Sequence, residues 1–402
     1  MKKETSIIFT GDIGFDKYMD KKWTDENLIS QEIFDFFHSG DHVIANVEGA
    51  LCDIDPATDP GGKGMFCHMM PTVATTVFDK MHADIYNLAN NHTMDAGRPG
   101  IEECFETIER KGIKTIGVGM NIEEAAKPLY LEEAGGIGLI GVGYQPTCVP
   151  ATETEPGNFP WNDYDRIQKA IQEIKKDHRW AIVVVHGGDE FCSIPMPYSR
   201  EKHQKYIELG ADIVIGHHPH VPQNYEIFPD GRAIFYSLGN FIFDTDYQRA
   251  QINTDTGVLL KLNLTEESFT FEPCGTKLIR GEEHIVKGEV PAIFTNISAE
   301  NYEKLVPLAA KTLIHTEYAR RSFLTPEEYA NATEEEWAVY FTGETKYKKK
   351  SKDILNFDTM KSLAAKIPET DWQSANLPQV VAYLEREFNR TIGTDKAPKS
   401  LF

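Results

Sequence analysis

Through roughly the first 245 residues, short apolar runs alternate with stretches whose apolar positions recur every three or four residues. The short runs read as buried strands and the longer stretches as amphipathic helices. The strands expected are Ser6–Thr10, His42–Val47, Ala83–Leu88, Thr115–Val118, Ile137–Val142, Ala181–Val185, Asp212–Ile215 and Ala233–Ser237. Helical patterns include Gly100–Lys111, Tyr164–Asp177 and Ser199–Leu209. Such alternation predicts βα units on a largely buried sheet. From Gly257 the pattern changes: VLLKLNL, SFTFEPC and KLIRG read as antiparallel strands. After about Pro291 the chain turns helical and polar, so we expect a domain over 1–290 and a helical region over 291–402. No repeat of fixed period occurs.

Composition narrows the function classes. The formal net charge of -21 and pI near 5.1 argue against a nucleic-acid or anionic-membrane binder. Six cysteines are scattered without a CxxC pair, which excludes a zinc ribbon and suits a reducing compartment. No apolar stretch approaches the ~18 residues of a membrane span, and Ile7–Phe9 is too short for a signal-peptide core. The cytoplasm is the expected location. A basic run, Lys346–Lys352, reads first as a solvated face and second as a grip on an anionic substrate. Nothing in the chain signals its oligomeric state.

The candidate chemistry lies just after the strands. The first runs into Gly11-Asp12, the second into Asn46 and Glu48, and the third into Asn91, His92 and Asp95. IVVV ends in His186, with Glu190 four residues on. The next strand ends in GHHPH, which holds His217, His218 and His220, and the last runs into Asn240. Each alone is an ordinary turn, cap or loop residue. Their recurrence at successive strand ends is different, because open α/β sheets hold ligands along that edge. Carboxylate and imidazole donors without thiolates suit a divalent cation, Mn, Zn or Fe before Mg. One or two ions fit, and a shared carboxylate bridges them when there are two.

The series GD, N-x-E, NNHxxD-x-G, H-x-G-x-E, GADxVxGHHPHV and YSLGNFxFD resembles the CapA proteins of poly-γ-glutamate capsule synthesis, bacterial relatives of the calcineurin-like metallophosphoesterases. The resemblance implies a four-layer α/β/β/α sandwich with its metal site at the strand ends. It implies metal ligands at Asp12, Glu48, Asn91, His186, His217 and His220, with Glu48 in the bridging place. It also implies a catalytic His92 acting on the leaving group and Glu190 as a substrate or acid/base residue. Asn46, Asp95, His218 and Asn240 are expected to face substrate or support the ligands. Gly14 in place of the Asp-x-His histidine, Asn90-Asn91-His92 in place of GNH, and GHxxH through Pro219 in place of GHxH depart from the metallophosphoesterases and are shared by CapA relatives; Gly187, where relatives often carry Trp, and Phe15-Asp16, where an Arg is common, belong to this chain.

Two functions compete. One is a metal-dependent hydrolase of a phosphoester or γ-glutamyl-type amide, with a small-molecule or poly-γ-glutamate-like substrate. The other is a non-catalytic accessory or binding protein for poly-γ-glutamate synthesis that keeps the cleft.

Overall fold

The computed structural model describes residues 2–55, 58, 68–144, 147–322, 367 and 370–392. The basic run Lys346–Lys352 lies outside them. The first strands are β1 (Glu4–Ile13), β2 (His42–Val47), β3 (Ala50–Leu51), β4 (Met69–Met70), β5 (Ile85–Asn87), β6 (Lys114–Ile116), β7 (Val118–Gly119), β8 (Leu129–Leu131) and β9 (Ile137–Gly143). There follow β10 (Gly157–Asn158), β11 (Trp180–His186), β12 (Ile213–His217), β13 (Tyr225–Ile227), β14 (Ala233–Phe235), β15 (Asn240–Ile242), β16 (Thr256–Thr265), β17 (Phe269–Ile279) and β18 (His284–Gly288).

An eight-stranded sheet runs β18-β17-β16-β1-β2-β5-β6, with β15 also paired to β1. A six-stranded sheet runs β13-β14-β12-β11-β9-β8. Alternation along each strand explains how they stack. Ile7 and Phe9 of β1, Ile44 of β2, Ile182 and Val184 of β11, and Ile213 and Ile215 of β12 share one buried cluster between the sheets. The intervening residues face outward. Ile8, Val43 and Ala45 pack on α1 (Gln31–His38), α2 (Thr75–Lys80) and α3 (Gly97–Lys111). Between α3 and the second sheet's helices comes the short α4 (Ile122–Ala125). Val183, Val185 and Val214 pack on α5 (Tyr164–Asp177) and α6 (Pro197–Glu208). The result is the expected helix–sheet–sheet–helix sandwich.

The expected strand Thr115–Val118 is divided. Gly117 takes a left-handed φ of 83°, and a Cβ there would meet Ala89 and Gly141. The chain therefore leaves the first sheet at Ile116 and pairs Val118–Gly119 with β10 instead. Conversely, SFTFEPC and KLIRG form one strand, β17, running through Pro273. Proline is tolerated because β18 pairs only from Gly275 onward, so the side of β17 lacking an N–H has no partner at Pro273.

After the short α7 (Asp246–Ala250), the C-terminal region supplies α8 (Ala299–Ser322) and α9 (Pro378–Ile392). Leu305 and Leu308 of α8 and Val380, Val381 and Leu384 of α9 bury one cluster with Cys192, Ile194 and Met196. The last three belong to the loop that follows β11, so both helices brace a segment leading away from His186. The Tyr302 hydroxyl donates to the Pro195 carbonyl at 2.8 Å.

Candidate metal centre

Strand register sets the first row of polar groups. Adjacent strands β15, β1, β2 and β5 bring Asn240, Asp12, Asn46 and Asn87 side by side. The orientation of Asp12 depends on a β-bulge. Between the pairs Phe9–Ile44 and Asp12–Asn46, β1 advances three residues and β2 two. Without that extra residue the inward alternation of Ile7 and Phe9 would continue to Gly11, and Asp12 would face the helices. Glycine is needed at 11, because a Cβ would stand 2.3 Å from the Gly239 carbonyl oxygen. On the second sheet, β11 and β12 set His186 beside His217.

The turn after β12 then bends sharply. His218 and His220 have φ of 96° and 58°, left-handed values that are costly for a side chain with a Cβ. Each such residue costs on the order of 1–3 kcal/mol and persists where the surroundings enforce it. Here the strain turns both rings onto the first sheet's carboxylates.

The groups converge around Glu48. Its Oε1 lies 3.6 Å from His186 Nε2 and 3.5 Å from His220 Nε2. His186 Nε2 is also 2.9 Å from Asn91 Oδ1 and 3.2 Å from His218 Nδ1. Asp12 Oδ2 is 3.3 Å from His220 Nδ1, and Asp12 Oδ1 is 3.6 Å from His217 Nδ1. Donor atoms ~2.1 Å from one cation stand about 3.0–3.5 Å from each other, so this spacing suits a shared ion. Two sets of three ligand atoms are compact enough to hold a metal: Glu48, His218 and His220; and Asp12, Glu48 and His186. Glu48 belongs to both.

Glu48 is wholly buried, and neither carboxylate oxygen has a hydrogen-bond partner. A buried carboxylate without hydrogen bonds is costly, and a cation would lower the cost. Burial pushes its carboxyl up to about 7; Asp12 adds to this and His220 opposes it. Burial disfavours a charged His220, but Glu48 and Asp12 outweigh it and raise that ring to about 10. Burial acts upward on Asp12 as well, yet the close imidazoles of His217 and His220 hold it well below the carboxylate range. Burial holds His186 down at about 3 and His218 at about 4, which leaves both neutral, the form that ligates metals.

Amides hold this cluster in place. Asn87 donates to Asn46 at 2.7 Å, and Asn46 donates to Asp12 Oδ1 at 2.8 Å and approaches His186 Nδ1 at 3.3 Å. Asn240 Oδ1 lies 2.9 Å from His220 Nδ1. Asn90 donates to the Val47 carbonyl and accepts from the His92 backbone, which fixes the turn carrying Asn91 and His92. His92 Nδ1 donates to Asp95 Oδ2 at 2.7 Å. Glu190 is near enough for its charge to act on His186, His218 and His220.

All twelve residues singled out in the sequence thus lie at or around one centre. His218, expected to face substrate, stands in a ligand set, whereas the buried His217 Nδ1 lacks a hydrogen bond and faces Asp12. Three participants went unassigned. Asn87 ends β5 and meets the same strand-end criterion as Asn46. His68 and Asp16 had no such signal: His68 Nδ1 donates to Asp16 Oδ2 at 2.7 Å, and the His68 backbone N–H donates to Asp95 Oδ2 at 2.7 Å. Burial disfavours a charged His68, but Asp16 outweighs it and raises its pKa. Gly14 also gains a reason: a Cβ there would stand 2.7 Å from the Phe243 ring, which packs on His220.

The family model for "Bacterial capsule synthesis protein PGA_cap" matches residues 6–245. Over 266 residues the chain is 28% identical to the PGA biosynthesis protein CapA of Bacillus subtilis (strain 168), covering 65% of this chain and 69% of that one. It is 31% identical over 173 residues to the capsule biosynthesis protein CapA of Bacillus anthracis, 42% of each chain. It is 24% identical over 220 residues to a probable polyglutamine synthesis accessory protein of Mycobacterium tuberculosis, covering 50% of this chain and 58% of that one. A crystal structure of TT1561 of Thermus thermophilus aligns over 67% of this chain and 98% of that one at 12% identity, with a TM-score of 0.37. Among the described residues no helix is long and apolar enough to cross a membrane.

Proposed function

The chain belongs to the bacterial capsule synthesis family PGA_cap, and from that premise we propose a metal-dependent hydrolase of γ-glutamyl-type amides in a poly-γ-glutamate-like substrate. One observation carries the reading: a fully buried Glu48 carboxylate with no hydrogen-bond donor, ringed by imidazoles and Asp12. A cleft built only to bind a polyanion has no use for buried carboxylates.

Asp12, His186 and Glu48 would hold one cation, with Asn91 alongside; His218, His220 and Glu48 would hold a second. The donors suit Mn, Zn or Fe better than Mg. When bound, such an ion supplies Lewis acidity toward a substrate oxygen and lowers the pKa of water. The remaining work belongs to side chains. Asn46 and Asn87 orient Asp12 and His186. Asp95 holds His92 through Nδ1, so Nε2 is the atom that passes a proton to the leaving nitrogen.

Elemental analysis of the purified chain, followed by assays on γ-glutamyl peptides and on phosphoesters with added Mn or Zn, tests the proposal. We expect a bound transition metal and amide hydrolysis. His92→Ala should keep the metal and lower kcat by roughly 10²–10⁴. Turnover of phosphoesters alone would move the reaction class. A chain without metal that hydrolyses neither substrate is an accessory protein.

A further inference from the structure

His68 is not a member of either ligand set, yet it stands beside the centre. Its ring lies edge-to-face on His92, with centroids 4.1 Å apart, and 5.7 Å from the Phe243 ring that also packs on His220. Asp95 ties the two together, accepting from His92 Nδ1 and from the His68 backbone through the same oxygen. Side-chain exposure rises outward, from none at His186 to 12% at His92 and 20% at His68. His68 is therefore the more exposed of the two rings that Asp95 ties together.

With Nδ1 anchored on Asp16, Nε2 is the remaining polar atom of the His68 ring, and it makes no hydrogen bond with a described residue. The position is electrostatically notable. The groups touching Glu48, His186, His218 and His220 are imidazoles, amides, carboxylates and aromatic rings, with no lysine or arginine among the described residues. Apart from a bound metal, the groups among the described residues that can offer positive charge or an N–H to an anionic substrate at the centre are imidazoles. A γ-linked glutamyl unit uses its side-chain carboxyl in the amide and keeps its α-carboxylate free.

We propose that His68 is a specificity residue: anchored by Asp16, its Nε2–H donates to the free α-carboxylate of a γ-glutamyl substrate while His92 faces the amide. The proposal rests on the γ-glutamyl reading above, and a binding assay separates the two. The metal-loaded full chain is titrated calorimetrically with tri-γ-glutamate and with its α-carboxamide counterpart. The wild type should prefer the carboxylate about tenfold to a hundredfold. His68→Gln should lose that preference, keep its metal, and bind the carboxamide as before. Asp16→Asn, which keeps the histidine but weakens its anchor, should lose part of it. A wild type that does not discriminate or does not bind, or a His68→Gln variant that discriminates equally well, overturns the inference. Should His68→Gln fail to fold, Asp16→Asn with undiminished preference overturns it as well. A His68-dependent preference in a protein that hydrolyses nothing upholds the inference and sinks the hydrolase. Hydrolysis without the preference does the reverse.

Discussion

Glu48 shows what a single buried residue can decide. With no hydrogen-bond donor on either oxygen, its ionised form costs the metal-depleted fold stability, a cost that the proposed cation would remove. Glu48→Met, which fills the same space without a polar group, should therefore act in two directions. In the metal-depleted protein it should raise stability by about 1–3 kcal/mol, the scale of removing an unsatisfied buried polar group. On adding Mn or Zn, the rise in Tm expected for wild type should vanish, because stabilisation by a ligand follows its occupancy. Thermal melts with and without metal give both results, and a variant less stable than wild type without metal refutes the account. At this scale the sequence was informative about which residues meet, because polar residues after buried strands have one edge to share. It was less informative about roles. The strained φ of His218 and His220 directs their rings, and no spacing rule contains that angle. His68 follows no strand and shows no periodicity, so only the fold reveals it.

At the scale of elements, the hydrophobic alternation identified β1, β2, β11 and β12 because each buries both faces between other layers. It missed the β1 bulge, since one added residue leaves the run of Ile7, Ile8 and Phe9 unchanged while reversing the side on which Asp12 emerges. The C-terminal helices carry a second element-level device. Glu387 of α9 is buried and accepts through Oε1 from the Ser193 hydroxyl and, at 2.8 Å, from the Asn253 amide. Burial raises its pKa to about 7 from an ordinary 4.5, against both hydrogen bonds. The folded protein thus binds a proton that the unfolded chain has released between those values. Stability should fall as pH rises from ~4.5 to ~7 and level off above. Glu387→Gln keeps the accepting oxygen and removes the ionisation. It should gain about 3 kcal/mol at pH 8 and nothing near pH 4.5. Denaturation curves of both proteins at those two pH values check this, and a gain that does not change with pH would mean α9 does not bury Glu387 in solution.

For the whole molecule, the two-sheet sandwich explains why one centre gathers six strands, since each sheet brings its carboxyl edge to the same end. The total charge adds a constraint that no local contact reveals. At a net charge of -21, the chain repels a γ-glutamyl oligomer at long range, while the proposed cation and His68 would attract it at a few ångströms. Salt acts differently on the two. The Debye length is ~30 Å at 0.01 M and ~8 Å at 0.15 M, so added salt removes the distant repulsion and leaves the short contacts nearly intact. The association rate of a γ-glutamyl oligomer should therefore rise severalfold over that range, with little change in dissociation. Most protein–polyanion pairs show the opposite dependence, because a basic surface steers them together. Stopped-flow or surface-based kinetics at several salt concentrations distinguish the cases. A rate that falls with salt would mean that a basic surface receives the ligand first, and Lys346–Lys352 would then be the segment to neutralise.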